Sequence, residues 1–157
     1  MHEYLSIVQQ IEKAPQRHLL KRLFEMVEFN FTPAMHTLSV CFERGVGVER
    51  NDQAAFDYCQ AAARLKNPAA MHNMGCNYLS GKNVERNPSL ALAYFNSAAK
   101  AGYLLSAHCV GWLYDNGDDG VESNGELARI AYEWSFRNGY VASVSYTHLT
   151  LPTIYSV

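Results

Sequence analysis

The sequence predicts an all-α protein: a right-handed α-solenoid (an α/α superhelix) of about three helix-loop-helix repeats behind an N-terminal helical cap. Three observations predict it. The first is self-similarity. Met35, His36, Phe42, Gly45, Val48, Asn51, Ala55 and Ala62-Ala63 recur 36 residues later as Met71, His72, Tyr78, Gly81, Val84, Asn87, Ala91 and Ala98-Ala99. Ala107, His108, Gly111, Tyr114 and Gly117 repeat the start of that pattern. Beyond them Glu122, Asn124, Ala128 and Gly139 fall at a spacing of 37, so one residue is inserted between Gly117 and Val121. The second observation is helical periodicity within each copy. The third is length: a unit of this size cannot bury its own apolar face, so copies must stack.

Residues 3–13 and 16–29 read as a helical pair, with 3–31 forming the cap. Tyr4, Leu5, Val8 and Ile11 share one predicted face, and Leu19, Leu20, Leu23, Phe24 and Val27 share another. Ala14-Pro15 breaks the chain between them. Arg17, His18, Lys21 and Arg22 form a basic cluster, read as the solvated face of an amphipathic helix and not as a nucleic-acid patch.

The repeats follow as 33–67, 68–102 and 103–139. Pro33 opens the first helix of the first copy, where a missing N–H costs nothing. The core stripes are Met35, Leu38, Ser39, Phe42; Met71, Met74, Gly75, Tyr78; and Ala107, Val110, Gly111, Tyr114. Each has the i, i+3, i+4, i+7 spacing of one helix face. A mid-helix glycine costs about 1 kcal/mol against alanine, so Gly75 and Gly111 imply close approach of the next helix. Gly45, Gly81 and Gly117 end the first helices, at the left-handed position glycine adopts most easily. Asn51, Asn87 and Asn124 precede the second helices as N-caps.

Composition narrows the function. The chain has 157 residues, 48% hydrophobic and 18% charged, enough apolar matter for a core. A net charge of −2 provides no field to draw nucleic acid or an anionic membrane. No apolar run approaches the ~20 residues of a membrane helix. MHEYLSIVQQIEKAPQ is not a secretory signal, so a cytoplasmic location is expected. The four cysteines, Cys41, Cys59, Cys76 and Cys109, form no CxxC pair and are expected to be reduced and packed. Cys41 and Cys59 lie on the two helices of one repeat, and a disulfide there would require export.

These residues resemble the Sel-1-like repeat, a relative of the tetratricopeptide repeat. Its pattern is roughly A-x-x-x-L-G-x-x-Y-x-x-G-x-G-V-x-x-D-x-x-x-A, then a helix ending A-A-x-x-G. The second copy matches as Met71, Met74, Gly75, Tyr78, Gly81, Val84, Asn87, Ala91, Ala98, Ala99 and Gly102. The third matches as Ala107, Val110, Gly111, Tyr114, Gly117, Val121, Asn124, Ala128 and Gly139. The first departs at Ser39 and at Lys66-Asn67. The resemblance covers about residues 33 to 140. It implies an adaptor or scaffold of the kind found in signalling, protein quality control and host–bacterium contact, with no catalytic residues and no cofactor to carry over.

In such an array the first helices line a concave groove. Residues one step beyond the core stripe should point into it: His36, Val40, Glu43, Arg44; His72, Cys76, Leu79, Ser80; and His108, Trp112, Asp115, Asn116. The partner expected there is another protein or peptide, since Trp and Arg are favoured interface anchors. Two other classes stand beside this reading: a metal-binding repeat protein, and the regulatory fragment of a larger enzyme. His36, His72 and His108 form a ladder, but equivalent side chains in stacked repeats stand on the order of 8–10 Å apart, too far to share one ion. Asp115, Asp119, Gly120 and Glu126 fit the spacing of a calcium loop, with Ser123 at its ninth place. Gly117 occupies the third place, where an oxygen ligand belongs. An inter-helix loop with one inserted residue is the simpler reading.

After Tyr140 a fourth repeat should begin. Instead residues 140–157 contain no Asp, Glu, Lys or Arg, and SYTHLTLPT looks like a translated sequencing adapter. With the last repeat uncovered, self-association or fraying is expected at Ala128–Gly139.

Overall fold

The computed structural model describes residues 1–13 and 17–140; the predicted break at Ala14-Pro15 and the tail beyond Tyr140 lie outside them. Eight helices follow one another among the described residues: α1 (His2–Lys13), α2 (Arg17–Glu28), α3 (Thr32–Arg44), α4 (Asp52–Arg64), α5 (Pro68–Ser80), α6 (Pro88–Lys100), α7 (Leu104–Asn116) and α8 (Gly125–Arg137). The only bridge among them that is not helical is the isolated pair Asp118–Val121. The chain divides into two compact units, residues 1–74 and Gly75 onward.

In the first unit, Ile7, Ile11, Leu19, Leu20 and Leu23 form a core with Ala34, Leu38 and Cys41 of α3. The helical pair thus lies over the first repeat. The predicted stripe of α1 needs one correction. Ile7 is buried and Leu5 is exposed, so the inward face is Tyr4, Ile7, Val8 and Ile11, the spacing that a helix keeps in line. Arg22 of the basic cluster is paired with Glu3 and Glu25. Pro33 sits in the first turn of α3, which starts one residue earlier than the repeat boundary suggested.

In the second unit, Ala91, Phe95, Val110, Leu113 and Val121 form the core. Phe95 and Leu113 are fully buried, each side chain contributing roughly 1.5–3 kcal/mol by leaving water. The core stripe is buried as predicted, with Phe42, Tyr78 and Tyr114 half-buried at its end.

Asn51, Asn87 and Asn124 each accept a hydrogen bond from the backbone N–H three residues on, at 2.9, 2.9 and 3.0 Å. Each leads with an extended backbone, so all three are N-caps. The mid-helix glycines do mark close approach of the next helix, and an aromatic ring makes it. A Cβ on Gly75 would stand 2.6 Å from the ring of Phe95, and one on Gly111 would stand 2.6 Å from the ring of Tyr132. Each glycine admits an aromatic ring from the second helix of its own repeat. In the first repeat the register pairs Ser39 with Cys59, a larger residue for glycine and a smaller one for the ring; both are buried.

Gly45 is left-handed as expected (φ 70°, ψ 34°), but Gly117 is not: its ψ is 167°. The extra residue after Gly117 forms a tight turn, in which Asp118 N donates to Val121 O and Val121 N donates to Asp118 O. The chain therefore leaves α7 in an extended direction.

Candidate functional site

In the first unit, His36, Val40 and Arg44 of α3 line a cleft of about 550 Å³ with Tyr4, Val8 and Ile11 of α1. Two hydrogen bonds tie its wall: the Tyr4 hydroxyl lies 2.8 Å from Thr37 Oγ1 and donates to Pro33 O at 3.1 Å. Asn73 Nδ2 donates to His36 Nε2 at 3.1 Å, so neutral His36 carries its proton on Nδ1. Burial lowers the pKa of His36. It does the same for His72, where His36 adds a second, repulsive influence. Both imidazoles are neutral at pH 7. His72 itself is buried, Val40 and Glu43 are half-buried, and Arg44 is exposed. Arg44 makes no ion pair among the described residues.

In the second unit, Cys76 and Ser80 are exposed on α5 and Leu79 is half-buried. On α7, His108 is half-buried, while Asp115 and Asn116 are exposed. Trp112 is 39% exposed, so it belongs to no core. Asn116 Nδ2 donates to the backbone Trp112 O at 2.9 Å in the last turn of α7. The ring of His108 lies 5.3 Å from Tyr132 and 5.4 Å from Tyr140, and burial lowers its pKa. Cys109 is pushed up to about 12, first by burial and then by the neighbouring Cys76. It is a packed thiol and not a nucleophile.

The alternative sites separate. The four cysteines are free, and Cys59 Sγ donates to Ala70 O at 3.5 Å. Among the described residues no three His, Cys, Asp or Glu side chains converge to hold a metal ion. Of the calcium-loop carboxylates, Glu126 is drawn away from the loop. Glu126 is engaged by Arg129 at 2.7 Å. The loop is set by Asp118, held by Arg86 at 2.6 Å, and that guanidinium keeps the carboxyl below its usual pKa.

The sequence reading missed the part that α1 plays in the cleft. Tyr4 and Val8 were legible as an apolar face, but nothing marked that face as the wall of an opening. It expected the last repeat to be uncovered but singled out none of Leu127, Ile130 and Trp134, which are exposed on the outer face of α8.

Helical hairpins of constant length, capped by asparagine and keyed by glycine against a ring, define an all-α helical-repeat protein of the solenoid class. The family model described as "Sel1 repeat" matches residues 32–67, 68–103 and 106–134. The chain belongs to the Sel1 repeat family, whose members are generally non-catalytic scaffolds that mediate protein–protein interactions. A solved Sel1 repeat protein from Oxalobacter formigenes is similar at 26% identity and a TM-score of 0.76, over 82% of this chain and 96% of that one. The protective antigen c5321 of uropathogenic Escherichia coli shares the fold at 20% identity and a TM-score of 0.74. That match covers 83% of this chain and 29% of the antigen. Helicobacter pylori cysteine rich protein B does so at 20% identity and a TM-score of 0.64, over 81% of this chain and 96% of that one. No curated protein sequence matches. Among the described residues no helix is long and apolar enough to cross a membrane.

Proposed function

We propose that the chain is a cytoplasmic interaction scaffold that binds a partner peptide or protein on the outward faces of its first helices, without catalysis. In the first unit the contact residues are His36, Val40, Glu43 and Arg44, with His72 beneath them. In the second they are Cys76, Leu79, Ser80, His108, Trp112, Asp115 and Asn116. The observation that carries this reading is Trp112. A tryptophan left 39% exposed on a helix whose opposite face is packed keeps part of its indole open to a partner, and an indole beside polar neighbours is a favoured anchor.

A photo-crosslinking amino acid placed at position 112 should capture discrete partners in cells, whereas one at exposed Asp57 should not. A pull-down in which Trp112→Ala and Arg44→Ala retain every partner would sink this face.

A second reading, self-association through α8, is favoured by Phe136. It is 47% exposed in the register position where α6 has buried Ala99. Sedimentation should show concentration-dependent association that Phe136→Ser removes; a monomer at all concentrations would end this reading.

A further inference from the structure

The first two repeats each close the end of the first helix with a stacked aromatic pair. Phe42 and Tyr58 lie 5.7 Å apart with planes at 6°, and Tyr78 and Tyr94 lie 5.5 Å apart at 14°. The third repeat breaks this rule. Tyr114 stands in register with Phe42 and Tyr78, but Ala131 stands where Tyr58 and Tyr94 do. Loss of that ring leaves a groove of about 580 Å³ between α6, α7 and α8, and both Tyr114 and Ala131 line it.

A second change accompanies the first. Leu127, Ile130 and Trp134 line the same groove and are 40%, 49% and 41% exposed. In register, the first repeat has Ala54, Asp57 and Ala61, and the second has Leu90, Ala93 and Ser97. Large apolar side chains have gathered beside the missing ring, on a face where the other repeats are mostly small or polar. Such a cluster marks an interaction site more often than a packing need. The groove follows two turns of α8 from Leu127 to Trp134, about 10 Å.

Charge specifies the occupant further. Lys100 lines the groove, and among the described residues no carboxylate does. Arg129 is occupied by Glu126 and Glu133, and Arg137 faces Glu133, which leaves Lys100 without an ion pair among the described residues.

We propose that this groove docks another protein, through an aromatic side chain that stacks on Tyr114 in place of the missing ring, on a segment whose carboxylate reaches Lys100. None of its residues belongs to the first-helix face, so this is a second docking site. Ring stacking of this kind multiplies affinity by roughly three to ten.

The test uses the full chain carrying Trp112→Phe, so that Trp134 is the sole tryptophan. The probe is a synthetic helical peptide of about ten residues with one Phe and a Glu one turn away, compared with its Phe→Ala and Glu→Lys versions. The Phe/Glu peptide should shift Trp134 emission to the blue with saturation, and the Phe→Ala peptide should bind at least about tenfold more weakly. Ala131→Tyr supplies the chain's own ring and should abolish binding. Ile130→Ser, on an exposed residue that does not threaten folding, should weaken it about tenfold. Lys100→Glu should weaken the Phe/Glu peptide and be rescued by the Glu→Lys peptide. Equal binding of the Phe and Ala peptides, or unchanged binding to Ala131→Tyr and Ile130→Ser, overturns the proposal. So does a Trp134 shift produced by chain concentration alone, which assigns the groove to a second copy. A Trp134 already shielded in the dilute chain also overturns it, assigning the groove to residues 141–157. The cell crosslinking at position 112 reads the first-helix face separately, so failure of either site is distinguishable.

Discussion

Gly75→Ala is expected to destabilise the protein, although alanine is the better helix former. The new methyl would stand 2.6, 2.8 and 3.0 Å from three ring atoms of Phe95, the nearest about 0.8 Å short of ordinary van der Waals contact. Phe95 is 0% exposed and is packed with Ala91, Val110, Leu113 and Val121, so the ring has nowhere to retreat. Overpacking of this kind costs about 1–3 kcal/mol. Helix propensity returns about 1 kcal/mol. Against a buried ring at 2.6 Å the overpacking cost falls in the upper half of its range, about 2–3 kcal/mol, so the net loss should be about 1–2 kcal/mol, which moves a urea midpoint down by roughly 0.5–1 M for a slope of about 2 kcal/mol/M. Gly125→Ala is the control, since a Cβ there meets nothing within 4 Å. It should be neutral or stabilising by up to about 1 kcal/mol. Combining Gly75→Ala with Phe95→Leu should recover part of the methyl's cost, measured against Phe95→Leu alone. If Gly75→Ala is as stable as the parent, the ring does not explain the glycine.

Asn87→Ala should cost about 1 kcal/mol by urea titration, since Leu90 N loses its acceptor, while Asn87→Asp should be nearly neutral. The folded pKa values of His36 and His72 lie below their ordinary value of 6.5, so the unfolded state takes up protons first. Stability should therefore be flat above about pH 6.5 and fall as the pH drops below it, and His36→Gln should make that slope shallower. Arg86→Ala should raise the Asp118 pKa in an NMR titration, though the Asp119 N–H still holds it down in part, and should speed proteolysis at Asp118–Gly120. Millimolar Ca²⁺ should leave the Tm unchanged; a rise would show that the loop binds the ion, with Glu126 leaving Arg129 for it.

Much of this fold was legible because a repeat states its constraints several times. Asn51, Asn87 and Asn124 each cap a helix by local hydrogen bonding, an interaction spanning three residues. The core stripes depend only on the 3.6-residue period. Local rules of this kind survive any tertiary context, so the helices and their packed faces could be read directly. Gly117 marks the first limit. Its left-handed prediction rested on its neighbours in register, but the inserted residue changed the chain's exit and the backbone with it. Leu5 marks a second: it fell on a plausible stripe, yet Ile7 took the buried place once α2 and α3 lay against α1.

The candidate faces were less legible, because burial is a property of what lies opposite. His36, His72 and His108 are equivalent in sequence, yet His72 is buried, His36 is held by Asn73, and His108 sits between two tyrosine rings. The glycine at 75 announced a close approach, but that an aromatic ring makes it, and that Ser39 and Cys59 take the corresponding places in the first repeat, required the packed core. Ala131 carried its information in plain register with Tyr58 and Tyr94. Only the packing of α6, α7 and α8 shows that one missing ring opens a groove there. Periodicity and capping are interactions of near neighbours, written along the chain. Which surfaces stay open is set by volumes that meet from distant residues, and those exist only once the helices are in contact.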